Sequence, residues 1–184
     1  MRINSILKES EANGPGKRGV VWVQGCSRHC EGCFNPETQS YSGGIEMDCE
    51  SIMAEFDLNK IQGLTVSGGE PFEQPEELEK LLKAAKEKNL NTLVYTGYKY
   101  NEILFNHRDI LLLCNYMIDG AFEKDIPSKC RWAGSGNQRF LQLKNGEIEK
   151  DLTECEQYSQ TAEITINETG NIIVTGFIDE FNKL

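Results

Sequence analysis

Short apolar runs punctuate the first two-thirds of the chain. Each is followed by a turn-rich stretch and, for the early runs, by a segment with helical spacing. Val20, Val21, Trp22 and Val23 form the first run; the others fall at 64–66, 92–95, 116–119 and 140–143. Runs this short, bounded by Gly, Asn or Ser, are strand signals. Between them, residues 48–58 place Ile52, Met53 and Phe56 on one face behind a capping Asp48. From Pro75 to about residue 89, Leu78, Leu81, Leu82 and Ala85 share a face. Acids at Glu76, Glu77 and Glu79 and lysines at Lys83, Lys86 and Lys88 match the dipole of that helix. Residues 101–106 and 108–114 read as further helical pieces, with Leu111, Leu112 and Leu113 as core.

Strands alternating with helices predict a parallel sheet covered by helices, with every strand's C-terminal end on one rim. The chain is too short for an eightfold barrel. The expected fold is therefore α/β, a partial, open parallel β/α barrel of roughly five or six strands. Alternation at 163–167 and 171–175, around Glu168, Thr169 and Gly170, predicts a C-terminal hairpin. Residues 1–19 read as polar and glycine-rich, with Gly14, Pro15 and Gly16 as a turn. The whole of 1–184 reads as one domain, with its core at about 14–143 and the hairpin extension at about 160–176.

Composition narrows the class. With 39% hydrophobic and 26% charged residues, the 184-residue chain suits a globular domain. The net charge of −10 argues against a general affinity for nucleic acid. No apolar run is long enough to span a membrane, and residues 1–5 lack a signal-peptide core, so the cytoplasm is the expected compartment.

The seven cysteines are an odd number without the spacing of a disulfide framework. Cys49, Cys114, Cys130 and Cys155 are scattered and read as buried or free thiols. Cys26, Cys30 and Cys33 are not scattered: they follow the first strand in a Cys-x3-Cys-x2-Cys pattern. Thiolates this close can converge on one metal centre. Four close an iron–sulfur site, and three leave a position open for another ligand. His29, between the first two, reads as a solvated loop residue. A second glycine-rich turn, Ser67-Gly68-Gly69-Glu70-Pro71, follows the second strand. Glycines there let backbone approach a ligand, and a carboxylate or a carbonyl is the right acceptor for an ammonium group.

Together the three-cysteine loop and Gly68-Gly69-Glu70-Pro71 resemble the radical S-adenosylmethionine (SAM) enzymes. Gly14-Pro15-Gly16 with Arg18, the run Asn35-Pro36-Glu37-Thr38, and Trp132, Gly134, Ser135, Asn137, Gln138 and Arg139 are similar to motifs of their glycyl-radical activating enzymes, closest to the anaerobic ribonucleoside-triphosphate reductase type. The resemblance covers most of 14–143. Gln39 stands where those relatives often carry Trp, and Gly32 where many radical SAM loops carry an aromatic residue.

The resemblance implies a [4Fe-4S] cluster on Cys26, Cys30 and Cys33, with SAM on the open iron and cleaved to a 5′-deoxyadenosyl radical. Ser67, Gly68, Gly69 and Glu70 would receive the SAM amino group. Phe34 would lie near the adenine or in the core. A monovalent cation would sit near Thr96, Met117 and Asp119, unless Asp119 only caps the loop after its strand. Asn137 and Arg139 would meet SAM hydroxyls or carboxylate, or shape a turn. Trp132 would be core or face a partner, and Arg18 is a candidate active-site cation. The implied partners are a glycyl-radical enzyme of the anaerobic ribonucleotide reductase kind and a flavodoxin or ferredoxin-type electron donor, with no nucleic acid and no membrane. Two other readings compete: a radical SAM enzyme acting on a peptide, nucleoside or small metabolite, and a non-catalytic module whose cysteines hold zinc.

Overall fold

The computed structural model describes residues 1–128, 130–154, 161–166, 170 and 172–176. Its main sheet has eight strands: β1 (Arg2–Ser10), β2 (Arg18–Val23), β3 (Ile45–Glu46), β4 (Gly63–Gly68), β5 (Asn91–Tyr95), β6 (Tyr116–Asp119), β7 (Arg139–Lys144) and β8 (Glu147–Asp151). Their order is β3-β1-β2-β4-β5-β6-β7-β8. The sheet is open, and only β2, β4, β5 and β6 run parallel.

The expected partial, open β/α barrel of five or six parallel strands is met in its open α/β sheet and corrected in its strand number and its all-parallel order. The fifth predicted strand, β7, is antiparallel to β6. A parallel return needs a crossover, usually a helix, and the described part of the connection from 120 to 138 contains none. β8 then folds back through Asn145 and Gly146, both at positive φ. At the other edge β1, read from sequence as a polar leader, pairs antiparallel with β2 and β3.

The helices α1 (Cys49–Ala54), α2 (Pro75–Glu87), α3 (Tyr100–Asn106) and α4 (Arg108–Leu111) cover one face. The Asp48 side chain accepts from Ser51 N at 2.7 Å, which starts α1 as predicted. α1 ends at Ala54, short of the expected residue 58. Leu78, Leu81, Leu82 and Ala85 of α2 pack with Val21, Val23, Leu64, Val66, Val94, Met117 and Leu141 in one core. Each large aliphatic side chain buried there contributes about 1.5–3 kcal/mol. Side chains alternate across a strand, so the other, concave face carries a second cluster: Leu93, Ile118, Cys130, Ala133 and Phe140, with Trp132 against it. Trp132 is thus a packing residue, its ring 5.2 Å from that of Phe140.

Arg18, a candidate active-site cation from sequence, closes the base of the concave face and does not line the cavity at the rim. It is fully buried at the start of β2, the opposite end of the parallel strands from the cysteine loop. It donates to Thr65 Oγ1 at 2.7 Å, Pro15 O at 2.8 Å and Leu64 O at 2.9 Å, and also to Asn91. Burial lowers its pKa to about 10. Gly14, at positive φ, lets the turn pass beneath: a Cβ there would strike Leu93 and Arg18.

The hairpin is present as β9 (Ala162–Ile166) paired with β10 (Ile172–Gly176). Residues 167–169 and 171, part of the predicted turn, lie outside the described residues, as does Cys155. Glu163 accepts from Glu11 N at 2.9 Å and Ala12 N at 3.3 Å, and Asn13 donates to Thr175 at 2.9 Å, so the hairpin rests on the end of β1. Among the described residues no helix is long and apolar enough to cross a membrane.

Candidate metal and cofactor site

The parallel strands deliver their C-terminal ends to one rim, and the loops above it enclose a cavity of about 360 Å³. Cys26, Cys30 and Cys33 line it from the loop after β2; Ser67, Gly68, Gly69 and Glu70 from the end of β4; Thr96 and Gly97 from the end of β5. Segments tens of residues apart in sequence are thus neighbours in space, as the α/β rim rule anticipates.

The cysteine loop is held at its base. Gly25 N donates to Thr38 O at 2.7 Å and Cys26 N to Gln39 O at 3.1 Å, so the segment from 26 to 39 closes on itself. His29 and Gly32 turn the chain at positive φ. His29 is exposed, its ring 3.4 Å from Gln39 Oε1, as a solvated residue would be. All three cysteines are free and half-buried. Burial pushes the Cys26 thiol up, backbone N–H groups of Arg28 and His29 oppose this, and the Glu70 and Glu73 carboxylates add to the rise.

This donor set fits a four-iron cluster with one open corner. Cys26, Cys30 and Cys33 would hold such a cluster through their thiolates. Among the described residues no three His, Cys, Asp or Glu side chains converge on a point suited to a single ion.

Gly68 and Gly69 serve a purpose the sequence did not reveal. A Cβ on Gly68 would meet the Val23 backbone, and one on Gly69 would run into the Gly25 carbonyl oxygen. The glycines let this loop lie directly against the entry to the cysteine loop, with Gly69 N donating to Val23 O at 2.8 Å and Glu70 N to Gly25 O at 2.9 Å.

Glu70 is 1% exposed. Its carboxylate accepts from Phe72 N at 3.1 Å, Thr96 Oγ1 at 2.8 Å and Gly97 N at 2.8 Å. Burial pushes this carboxyl up, while those donors and Arg28 pull it down. The Glu70 carboxylate thus ties together the loops after β4 and β5. The Thr96 hydroxyl, which also accepts from Tyr98 N, is likewise spent on holding the loops together.

Phe34 is 42% exposed and so is not core. Its ring lies 4.9 Å from that of Phe122, over Gly134, and lines the cavity. Asp119 and Arg139 pair with each other, and Asp119 also accepts from Tyr100 N at 2.7 Å. Met117 lies in the helix-side core. Asn137 donates to Ala121 O and Glu123. None of Met117, Asp119, Asn137 and Arg139 lines the cavity; from the last motif Gly134 and Gln138 do.

Sequence reasoning also missed Glu73, which accepts from Ser27 N at 2.9 Å and from the Tyr41 hydroxyl. Another residue it missed is Arg28, which lines the cavity. Position between two cysteines was the only available signal for Arg28, and Glu73 had none.

A family model described as a 4Fe-4S single cluster domain matches residues 12–141. An anaerobic ribonucleoside-triphosphate reductase-activating protein of Enterobacteria phage T4 is 34% identical over 153 residues, covering 79% of this chain and 97% of that protein. Its namesake in Haemophilus influenzae is 36% identical over 146 residues, covering 72% and 92%. A pyruvate formate-lyase-activating enzyme of Clostridium pasteurianum is 38% identical over 138 residues, covering 70% and 58%. The α/β sheet, the open three-thiol loop and the matched model together define an iron–sulfur protein of the single-cluster type. Within that class, the chain belongs to the radical SAM activating-enzyme family.

Proposed function

We propose that this chain generates a glycyl radical on a partner enzyme of the anaerobic ribonucleoside-triphosphate reductase class. The observation that carries the reading is that three free, half-buried cysteines share one cavity with the Gly68–Glu70 loop, in a chain whose relatives are named activators of such enzymes. When bound, a [4Fe-4S] cluster supplies the electron that cleaves SAM reductively, and the resulting radical removes a hydrogen from a glycine α-carbon.

The chain's own residues bind and orient. Cys26, Cys30 and Cys33 hold the cluster. Main-chain carbonyls of Ser67, Gly68 and Gly69 receive the SAM ammonium group, and Glu70 and Thr96 fix the loops that present them. The exposed face of Phe34 offers apolar surface to the adenine. Asn137 and Arg139 shape the loop that carries Gln138 to the cavity. A monovalent cation is not needed beside Thr96, Met117 and Asp119, because Arg139 supplies the positive charge at Asp119. A flavodoxin or ferredoxin-type protein delivers the electron.

The test is anaerobic. The reconstituted, reduced protein is mixed with SAM and with a candidate reductase. Formation of 5′-deoxyadenosine, methionine and a glycyl-radical EPR signal on the reductase is the expected result. SAM cleavage with no radical on any glycyl-radical enzyme encoded beside this chain would refute the partner assignment. No cleavage by protein with an intact, reducible cluster would refute the chemistry.

A further inference from the structure

Arg28 is the sole positively charged side chain lining the cavity among the described residues, where Glu37 and Glu70 are the acids. It projects from the loop between Cys26 and Cys30. Its stem lies over Gly97, where a Cβ would strike it, and its guanidinium sits 4.1 Å from the centre of the Tyr98 ring. The side chain is 24% exposed, and Nε is buried without a hydrogen-bond partner.

Its nearest charge, a Glu70 carboxylate oxygen, is 3.7 Å from Nε, beyond hydrogen-bond reach, and that carboxylate has three closer donors. The Arg28 side chain donates no hydrogen bond to any described residue. A buried donor left unmade is costly, and a native structure keeps one for a reason. Packing cannot be the whole reason, since an apolar side chain would cover Tyr98 without leaving donors unsatisfied.

We infer that Arg28 is the carboxylate-recognition residue of this cavity: its guanidinium engages the carboxylate at the amino-acid end of SAM. This rests on the proposed function, and it assigns to Arg28 the contact that sequence considered for Arg139, which Asp119 occupies instead. A guanidinium fork matches a carboxylate in shape as well as charge. The contact is made beside the carbonyls of residues 67–69, so the ammonium and carboxylate ends of one amino acid are received by neighbouring loops. Stacking on Tyr98 holds the guanidinium before the ligand arrives.

The test compares SAM with its decarboxylated analogue, which lacks the one group Arg28 is inferred to bind. Cluster-loaded wild type, Arg28→Gln and Arg28→Lys are titrated anaerobically with each, after melting temperature and iron content are measured. Arg28→Gln is expected to weaken SAM binding about tenfold or more, the range for a hydrogen bond to a charged group, and to change the analogue's affinity less than about twofold. Arg28→Lys is expected to recover part of the loss.

Equal weakening of both ligands, or none, overturns the inference. Should Arg28→Gln fail to load a cluster, Arg28→Lys decides the matter: a SAM-to-analogue affinity ratio lower than wild type by about threefold or more supports it, and an unchanged ratio overturns it. Cluster-loaded wild type that binds no SAM would overturn the proposed function itself, a result distinct from wild-type binding that Arg28→Gln fails to discriminate.

Discussion

Replacing Glu70 by Gln removes a charge while keeping shape, and the structure says what this should cost. One carboxylate oxygen accepts from Phe72 N and the Thr96 hydroxyl; the other accepts from Gly97 N and faces Arg28. All four neighbours are donors. A glutamine must place its own NH2 at one of the two positions, against at least one buried backbone N–H. That unsatisfied donor costs about 1–3 kcal/mol, and the remaining bonds lose the charge that strengthens them. The total comes to about 3 kcal/mol, which for a chain of this length lowers the melting temperature by roughly 6–12 °C. The measurement is anaerobic chemical and thermal denaturation of cluster-free protein, with Glu73→Gln, on a more exposed carboxylate, as the control. Glu70→Gln also mimics the protonated acid. Burial outweighs the four donors and raises this carboxyl; were the rise enough to leave Glu70 neutral at pH 7, the substitution would cost under about 1 kcal/mol. That result would refute the picture of an ionised carboxylate tying the β4 and β5 ends to the cysteine loop.

Four further outcomes are expected. Cys26→Ala, Cys30→Ala or Cys33→Ala should each abolish the visible absorbance of the reconstituted cluster, whereas Cys114→Ala, in the helix-side core, should leave iron per chain unchanged. Gly69→Ala pushes a methyl into the Gly25 carbonyl and should cost about 1–3 kcal/mol in denaturation, with faster loss of cluster to a chelator. Arg18→Ala breaks bonds to Pro15, Leu64, Thr65 and Asn91 and should cost at least about 3 kcal/mol, with SAM affinity of the folded protein unaffected; lost affinity at unchanged stability would restore Arg18 as an active-site cation. Burial pushes the Cys114 thiol up to about 12, so at pH 8 it stays protonated, and iodoacetamide should label it only after unfolding, as mass spectrometry of the native and denatured protein would show.

The four parallel strands and the long helix were legible because each carries a continuous signal: apolar runs for β2, β4, β5 and β6, and an apolar stripe for α2. β8 was not, since all five of its residues are exposed and a lone Ile148 among charged residues makes no apolar run. β1 buries Ile3 and Leu7 but intersperses them with lysine, glutamate and serine, so its pairing depends on partners far along the chain. At the site, the cysteines and Gly68-Gly69-Glu70 could be read because close spacing and glycine pairs are local features. The use of Glu70 and Thr96 as ties could not be, because their partners lie on other loops. Asp119 and Arg139 had charge and position to suggest ligand contacts, yet opposite charges on adjacent antiparallel strands found each other first.

The closed base formed by Arg18, Gly14 and Leu93 has a kinetic consequence. Arg18 and Leu93 block the floor of the concave face, leaving the rim where the cysteine loop lies and the side beside the hairpin as approaches to the cavity. Under the proposed function that same rim must receive a segment of a large protein. Once a partner covering both approaches is seated, exchange of SAM and its cleavage products stops. Turnover is then ordered: the nucleoside-bearing ligand enters before the protein, and its fragments leave after the protein does. Pre-incubation with SAM should shorten the lag before radical formation, and excess partner added first should lengthen it.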